Sequence, residues 1–233
     1  MVKRRVWLPV LACLAAIVAR PAWSAEPWAT ETKSQLGGVW QSDADTACDK
    51  GFVALLGNAL YIKLVASEEP KKPFKLDDEM RFTTGDGKLT TAEFHGGKNY
   101  TLAYSLEDGG KTLVLRPGTP QQSKVHRCSM PDLDPRLFGG WPDPPRRPTC
   151  DKGFIALLEN GLALDVEASA AGSRFPFEVS RIFKFGTSGN NRLSAGEFSD
   201  PTPKVADYHF DGPDTLVVKS GEQDKEQRIE RCF

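Results

Sequence analysis

Apolar and polar residues alternate with a period of two through much of this chain. Leu60, Ile62 and Leu64 alternate with Tyr61, Lys63 and Val65, and further on Leu162, Leu164 and Val166 alternate with Ala163, Asp165 and Glu167. A period of two marks half-buried strands rather than helices. Within a barrel it predicts Leu60, Ile62 and Leu64 facing inward and Tyr61 and Lys63 facing outward. Turn-forming residues fall between the apolar runs, at Gly57-Asn58, Gly85-Asp86-Gly87, Asp108-Gly109-Gly110, Asn160-Gly161, Asn190-Asn191 and Asp211-Gly212-Pro213. That is the spacing of hairpins in a meander.

The chain says nearly the same thing twice. Cys48-Asp49-Lys50-Gly51-Phe52-Val53-Ala54-Leu55-Leu56 returns as Cys150-Asp151-Lys152-Gly153-Phe154-Ile155-Ala156-Leu157-Leu158. The match continues through Leu89 and Leu193, Glu93-Phe94 and Glu197-Phe198, Tyr104 and Tyr208, and Arg127-Cys128 and Arg231-Cys232. Such a period is the signature of tandem units. The chain divides into residues 1–24, a 25–35 segment, a first repeat over 36–129, a Pro-containing junction at 130–136 and a second repeat over 137–233. Each repeat accommodates about eight short strands and no convincing helix. The predicted class is all-β, two tandem antiparallel meander barrels, each with one disulfide. A single continuous sandwich would explain the alternation but not the repeated cysteine frame.

Lys3, Arg4 and Arg5 precede an apolar run from Val6 to Ala19, and Ala22-Trp23-Ser24 offers a small-x-small cleavage site before Ala25, the layout of a signal peptide. The run is short of the roughly 20 residues that span a bilayer, so no membrane insertion is expected after cleavage. Val10-Leu11-Ala12-Cys13 is a lipobox-like alternative, but the apolar run continues past Cys13. Cleavage takes four of the 30 basic residues and none of the 31 acidic ones, leaving 26 against 31, or −5. A mildly acidic chain of mixed sign is not built for nucleic acid or anionic membranes.

A periplasmic or secreted location also predicts paired cysteines. Four cysteines allow three pairings, and the repeat selects Cys48 with Cys128 and Cys150 with Cys232. Each bridge closes a loop of about eighty residues, worth roughly 4.5 kcal/mol in the chain-entropy model.

Gly38-Val39-Trp40 resembles the Gly-x-Trp opener of the lipocalins and the wider calycin group, which includes small secreted barrels that inhibit proteases; the second unit opens Gly139-Gly140-Trp141. In lipocalins an arginine of the last strand packs over that tryptophan, and Arg127 and Arg231 stand where such a partner would be expected for Trp40 and Trp141. The resemblance covers these few positions in each unit. It implies closed barrels, and with them a ligand carried in the interior.

The remaining motifs are weaker. Gly85 to Phe94 looks like the second half of an EF-hand loop closing at Glu93, but Phe82 and Thr84 occupy two ligand positions, as do Gly186 and Ser188 in the second copy. A hairpin followed by a glutamate is the better reading, and no metal is expected. Glu93 and Glu197 recur together with Arg127 and Arg231, which permits an ion pair within each unit. Gly110-Lys111-Thr112 lacks the earlier glycine of a phosphate loop, and Asn99-Tyr100-Thr101 is a glycosylation sequon. His95, His126 and His209 occupy non-equivalent positions without a nucleophile nearby in sequence. No catalytic residue and no cofactor are therefore expected.

Pro142, Pro144, Pro145, Arg146 and Arg147 form a stiff basic stretch where the first unit has Gln41 to Ala47. A loop already rigid loses little entropy on docking, whereas the plainer reading is an edge cap. The sequence predicts an exported, non-catalytic binding protein, an inhibitor of or binding module for an exported hydrolase that uses this loop. The alternative is a lipocalin-like small-ligand carrier. An enzyme with a cleft between the units is a third reading.

Overall fold

The computed structural model describes residues 35–42, 48, 50–94, 97–130, 132–144, 146–170, 173, 175–189, 191–199, 202–220 and 226–233. Residues 1–34, where a leader is expected, and Pro145 lie outside them. The first unit is a closed eight-stranded antiparallel barrel of β1 (Gly38–Gln41), β2 (Gly51–Leu55), β3 (Leu60–Glu69), β4 (Lys72–Gly85), β5 (Lys88–Ala92), β6 (Asn99–Glu107), β7 (Thr112–Leu115) and β8 (Ser123–Arg127). Each strand pairs with the next, and β1 closes on β8 through Trp40 opposite Arg127 and Gln41 opposite His126. The second unit repeats the meander with β9 (Gly139–Trp141), β10 (Gly153–Leu157), β11 (Leu162–Ala168), β12 (Phe177–Ser188), β13 (Arg192–Gly196), β14 (Lys204–Phe210), β15 (Thr215–Ser220) and β16 (Glu226–Glu230). There is no α-helix among the described residues. Both disulfides are formed, Cys48 to Cys128 and Cys150 to Cys232.

The two units share their backbone detail. Cys128 N–H donates to Val39 C=O at 2.9 Å, and Cys232 N–H donates to Gly140 C=O at 2.8 Å. Trp40 Nε1 donates to Leu36 C=O at 2.9 Å and Trp141 Nε1 to Leu137 C=O at 2.7 Å. Each barrel has a register shift at the same height, between Lys63 and Leu64 and between Asp165 and Val166. The glycine in the repeated Cys-Asp-Lys-Gly-Phe string has a local cause. Gly51 and Gly153 sit at φ +123° and +129°, where a Cβ would strike the carbonyl of Leu64 or Val166 across the ladder.

One difference explains why the second sheet stops just short of closure. Pro142 stands where the first unit has Gln41, and proline has no N–H to give to a closing ladder. β9 and β16 are therefore not laddered, although the Cys232 to Gly140 bond and the second disulfide hold the seam.

The inward and outward faces of β2 and β3 are the reverse of the expected ones. The interior of the first barrel draws on all eight strands, with Trp40, Val53, Leu55, Tyr61, Phe82, Leu89, Tyr104, Leu106, Leu113, Leu115 and Val125. Leu60, Ile62 and Leu64 instead join Phe52, Ala54 and Leu56 on the outside. There they pack against the matching outer face of the second barrel, Phe154, Ala156, Leu158, Leu162, Leu164 and Val166. Phe52 meets Phe74 edge-on at 5.4 Å, and their counterparts Phe154 and Phe177 meet at 5.7 Å. The repeated Phe94 and Phe198 belong to this shared core, each under a cation, Arg81 or Lys184, at 5.0 Å. An exterior this apolar is stable only when covered, so the barrels are locked to each other by a core of their own.

Within that junction Glu79 is buried on β4, its Oε1 unpartnered. Burial pushes its carboxyl up to about 8, against a backbone bond from Phe177 that lowers it. A folded state that holds this proton more tightly than the unfolded chain is favoured at low pH. That advantage is complete below the ordinary value near 4.5 and lost as pH rises through about 8. The wild-type denaturation midpoint is therefore expected to fall between pH 5 and pH 8.5, at about 1.4 kcal/mol per pH unit in the steepest part. Glu79→Ile should reduce that slope to the part contributed by Glu159, whose carboxyl burial also raises, and an identical slope in the variant would refute the assignment.

Candidate functional site: the interior of the first barrel

A cavity of about 430 Å³ occupies the first barrel. Val53, Leu55, Tyr61, Leu89, Leu113, Leu115 and Val125 wall it, and Trp40 lies at its base. Arg127 stacks over Trp40 at 4.6 Å from the ring centroid and closes that end. Gln41, Ser42, Lys50 and Lys63 supply the polar lining toward solvent. Lys63 comes from the inward face of β3 and pairs with Asp77 at 2.6 Å, both half-exposed. The phenol of Tyr61 is pushed up to about 12 by burial first and then by Asp78 and Asp77, so it stays a hydrogen-bond donor near neutral pH.

The second barrel treats the same space differently. Phe183, Phe185, Tyr208 and Phe210 crowd its interior with Trp141, Leu157 and Leu216. Phe210, in the place of Leu106, packs against Trp141 at 6.2 Å and Tyr208 at 6.1 Å. At the height of Lys63 stands Asp165, which is fully buried. Arg147 and Arg181 both bond to it, Arg181 Nη2 at 2.6 Å, and Arg147 also donates to Val166 C=O at 3.0 Å. Burial alone would raise the Asp165 carboxyl, but the two arginines outweigh it and hold the group below its usual range.

Arg147 is delivered by the loop that the sequence singles out. Asp143 and Arg147 exchange backbone hydrogen bonds at 3.0 and 2.7 Å, folding the segment back over the barrel. Arg147 is buried, Arg146 is half-exposed and paired with Asp143, and Pro142 lies in the seam beside Trp141. Arg147 is thus spent on its own barrel, while Arg146 keeps about half of its side chain in solvent. One signal in the sequence points to the arrangement: opposite charges, Lys63 and Asp165, at the equivalent strand position of the two copies.

The remaining candidates are dispersed. Arg231 lies over Trp141 at 4.4 Å, as Arg127 does over Trp40. Neither pairs with Glu93 or Glu197: Arg127 meets Glu159 at 3.1 Å across the barrel junction, and Arg231 meets Asp214 at 3.2 Å. Glu159 also accepts from Val39 N–H at 2.8 Å, and burial pushes its carboxyl up. These groups border a second cleft of about 420 Å³ between the barrels, with Gly37, Gly57 and Phe233. His126 contacts the Thr112 hydroxyl at 3.4 Å, and that hydroxyl donates to Asp108 at 2.8 Å, a cross-strand arrangement outside either cavity. Among the described residues no group of histidine, cysteine and acidic side chains is placed to hold a metal, and no helix is long and apolar enough to cross a membrane.

No protein-family model matches the chain, and neither a curated protein nor a solved structure does.

Proposed function

We propose that this is an exported, non-catalytic binding protein whose first barrel takes one small, largely apolar ligand, while the second, filled barrel acts as its rigid partner. The observation that carries the reading is the cavity. Its volume of about 430 Å³ lies within the range of about 300–1,000 Å³ usual for small-molecule sites. Its wall is apolar with a few polar groups at one end, the distribution that fixes a ligand's orientation. The two disulfides fit an oxidising compartment. Docking of an exported protein through the Pro142 to Pro148 loop has less support, because Arg147 would first have to leave Asp165.

The test is titration with N-phenyl-1-naphthylamine, an uncharged apolar fluorophore. One molecule per chain is expected to bind, and Val125→Phe, which fills the cavity with a larger ring, should weaken binding at least about tenfold with little change in the melting midpoint. No binding by the wild type, or equal binding by the variant, would remove the proposal.

A further inference from the structure

The two opening tryptophans are covered alike but secured differently. Arg127 N–H donates to Lys111 C=O and Arg231 N–H to Asp214 C=O, each at 2.8 Å, so the two arginines start from equivalent backbone. In the second barrel the carboxylate of Asp214 reaches back to Arg231 Nε at 3.2 Å, and the guanidinium is held within its own barrel. The first barrel has Lys111 at that position. Arg127 instead takes a carboxylate from the other barrel, Glu159 in the turn between β10 and β11, whose two oxygens lie 3.1 and 3.4 Å from Nη1.

This pair is built into the junction. The side chain of Glu159 is only 11% exposed and that of Arg127 23%. Glu159 Oε1 also accepts from the N–H of Val39, the residue before Trp40, at 2.8 Å. A Cβ at Gly38 would fall on Glu159 Oε1 and Arg127 Nη1, so any other residue there would push the pair away from β1. The glycine of the Gly-Val-Trp opener thus admits the second barrel's carboxylate to the base of the first. The counterpart of Glu159 in the first barrel is Gly57, with the Phe233 ring against it. The support therefore runs from the second barrel to the first and is not returned.

Trp40 forms the base of the first cavity, its Nε1 bonded to Leu36 C=O and its face covered by Arg127. Two further bonds of the guanidinium go to neutral carbonyls, from Nε to Gly110 C=O at 3.2 Å and from Nη2 to Gln35 C=O at 3.0 Å. The bond to Glu159 is the charge-assisted one, a kind roughly twice as strong as a neutral bond, and its partial burial limits screening. We infer that Glu159 is a positioning residue for the ligand site of the first barrel: through it the second barrel holds Arg127 down on Trp40 and keeps the cavity floor in place. This rests on the reading of the first barrel as a ligand site. Without that charge the guanidinium can lift from the indole and admit water beneath it, and an apolar ligand loses its base. A filled barrel thereby shapes a cavity that it does not line.

The experiment is titration of the oxidised protein and three variants with N-phenyl-1-naphthylamine. Glu159→Gln keeps an oxygen for Val39 N–H and removes the charge, and it is expected to weaken binding about tenfold. Lys111→Asp added to that variant places a carboxylate where the second barrel has Asp214, and should bring the affinity back to within about twofold of wild type. A role of Glu159 in holding the barrels together would not be repaired this way, because Lys111→Asp restores no contact between them. Asp214→Asn breaks the corresponding pair of the second barrel, on the same cleft, and should leave the affinity unchanged. Wild-type affinity in Glu159→Gln, a loss that Lys111→Asp does not repair, or an equal loss in Asp214→Asn would overturn the inference and leave the cavity itself in place. Failure of the fluorophore to bind the wild type would instead remove the site, and the inference with it.

Discussion

Replacing Asp165 by alanine is expected to destabilise the chain by about 3–5 kcal/mol, the cost of removing one partner from a buried ion pair. The side chain of Asp165 is fully buried and that of Arg147 nearly so, and Asp165 pairs with both Arg147 and Arg181. Without the carboxylate, the Arg147 guanidinium keeps Val166 C=O and the half-buried Asp143, but its charge stays in the barrel mouth with less to balance it. The equivalent change in the first barrel, Lys63→Ala, breaks a half-exposed pair and should cost under about 1 kcal/mol. Urea denaturation of the two variants measures the contrast, and equal losses would contradict the picture of one sealed and one open barrel. Exchanging both partners for apolar residues, Arg147→Met with Asp165→Leu, should recover most of the loss. The carboxyl of Asp165 is held below its ordinary value, so its contribution is present above that value and disappears as pH falls through the lowered one.

Loss of the second disulfide is expected to cost about as much, and to cost it locally. The bonded cysteines are 80 residues apart in the first unit and 82 in the second, so chain entropy assigns each bridge roughly 4.5 kcal/mol. The seams they guard are unequal. Trp40 and Gln41 ladder onto β8, whereas β9 ends at Pro142 and no ladder joins it to β16. Cys150→Ala with Cys232→Ala should therefore speed amide exchange in β9 and β16 far more than Cys48→Ala with Cys128→Ala speeds it in β1 and β8. Equal acceleration at both seams would show that Pro142 does not set the difference.

Much of this architecture was legible from local chemistry. Strand positions follow from alternation, and turns follow from Gly-Asn, Asn-Gly and Asp-Gly pairs, because both depend on residues close in sequence. The disulfide pairing followed from the repeat. The stacking of Arg127 and Arg231 over the two opening tryptophans was expected from the lipocalin resemblance, and the structure has that geometry.

Alternation gives a strand two faces without saying which one is inside. Leu60, Ile62 and Leu64 form the more apolar face of β3, so a lone barrel would turn them inward. They face outward because a second barrel covers them, which no pattern within one unit reveals. Once that face is outside, Tyr61 and Lys63 must line the interior, and the site follows. The cavity itself depends on residues from many strands meeting at one place, and side-chain volumes summed over such distances leave no short motif. The folding back of Arg147 is hidden for a related reason: its target, Asp165, is the counterpart of Lys63 and falls on the face that alternation alone would turn outward.

The most direct test of the account is amide chemical-shift mapping of the isotope-labelled, oxidised protein during titration with N-phenyl-1-naphthylamine. Saturable shifts are expected at one equivalent, concentrated at Val53, Leu55, Tyr61, Leu89, Leu113 and Val125, with the matching residues Ile155, Leu157, Ala163, Leu193, Leu216 and Ile229 of the second barrel unmoved. Shifts centred on Glu159 and Phe233 in the cleft between the barrels, or equal shifts in both barrels, would contradict it.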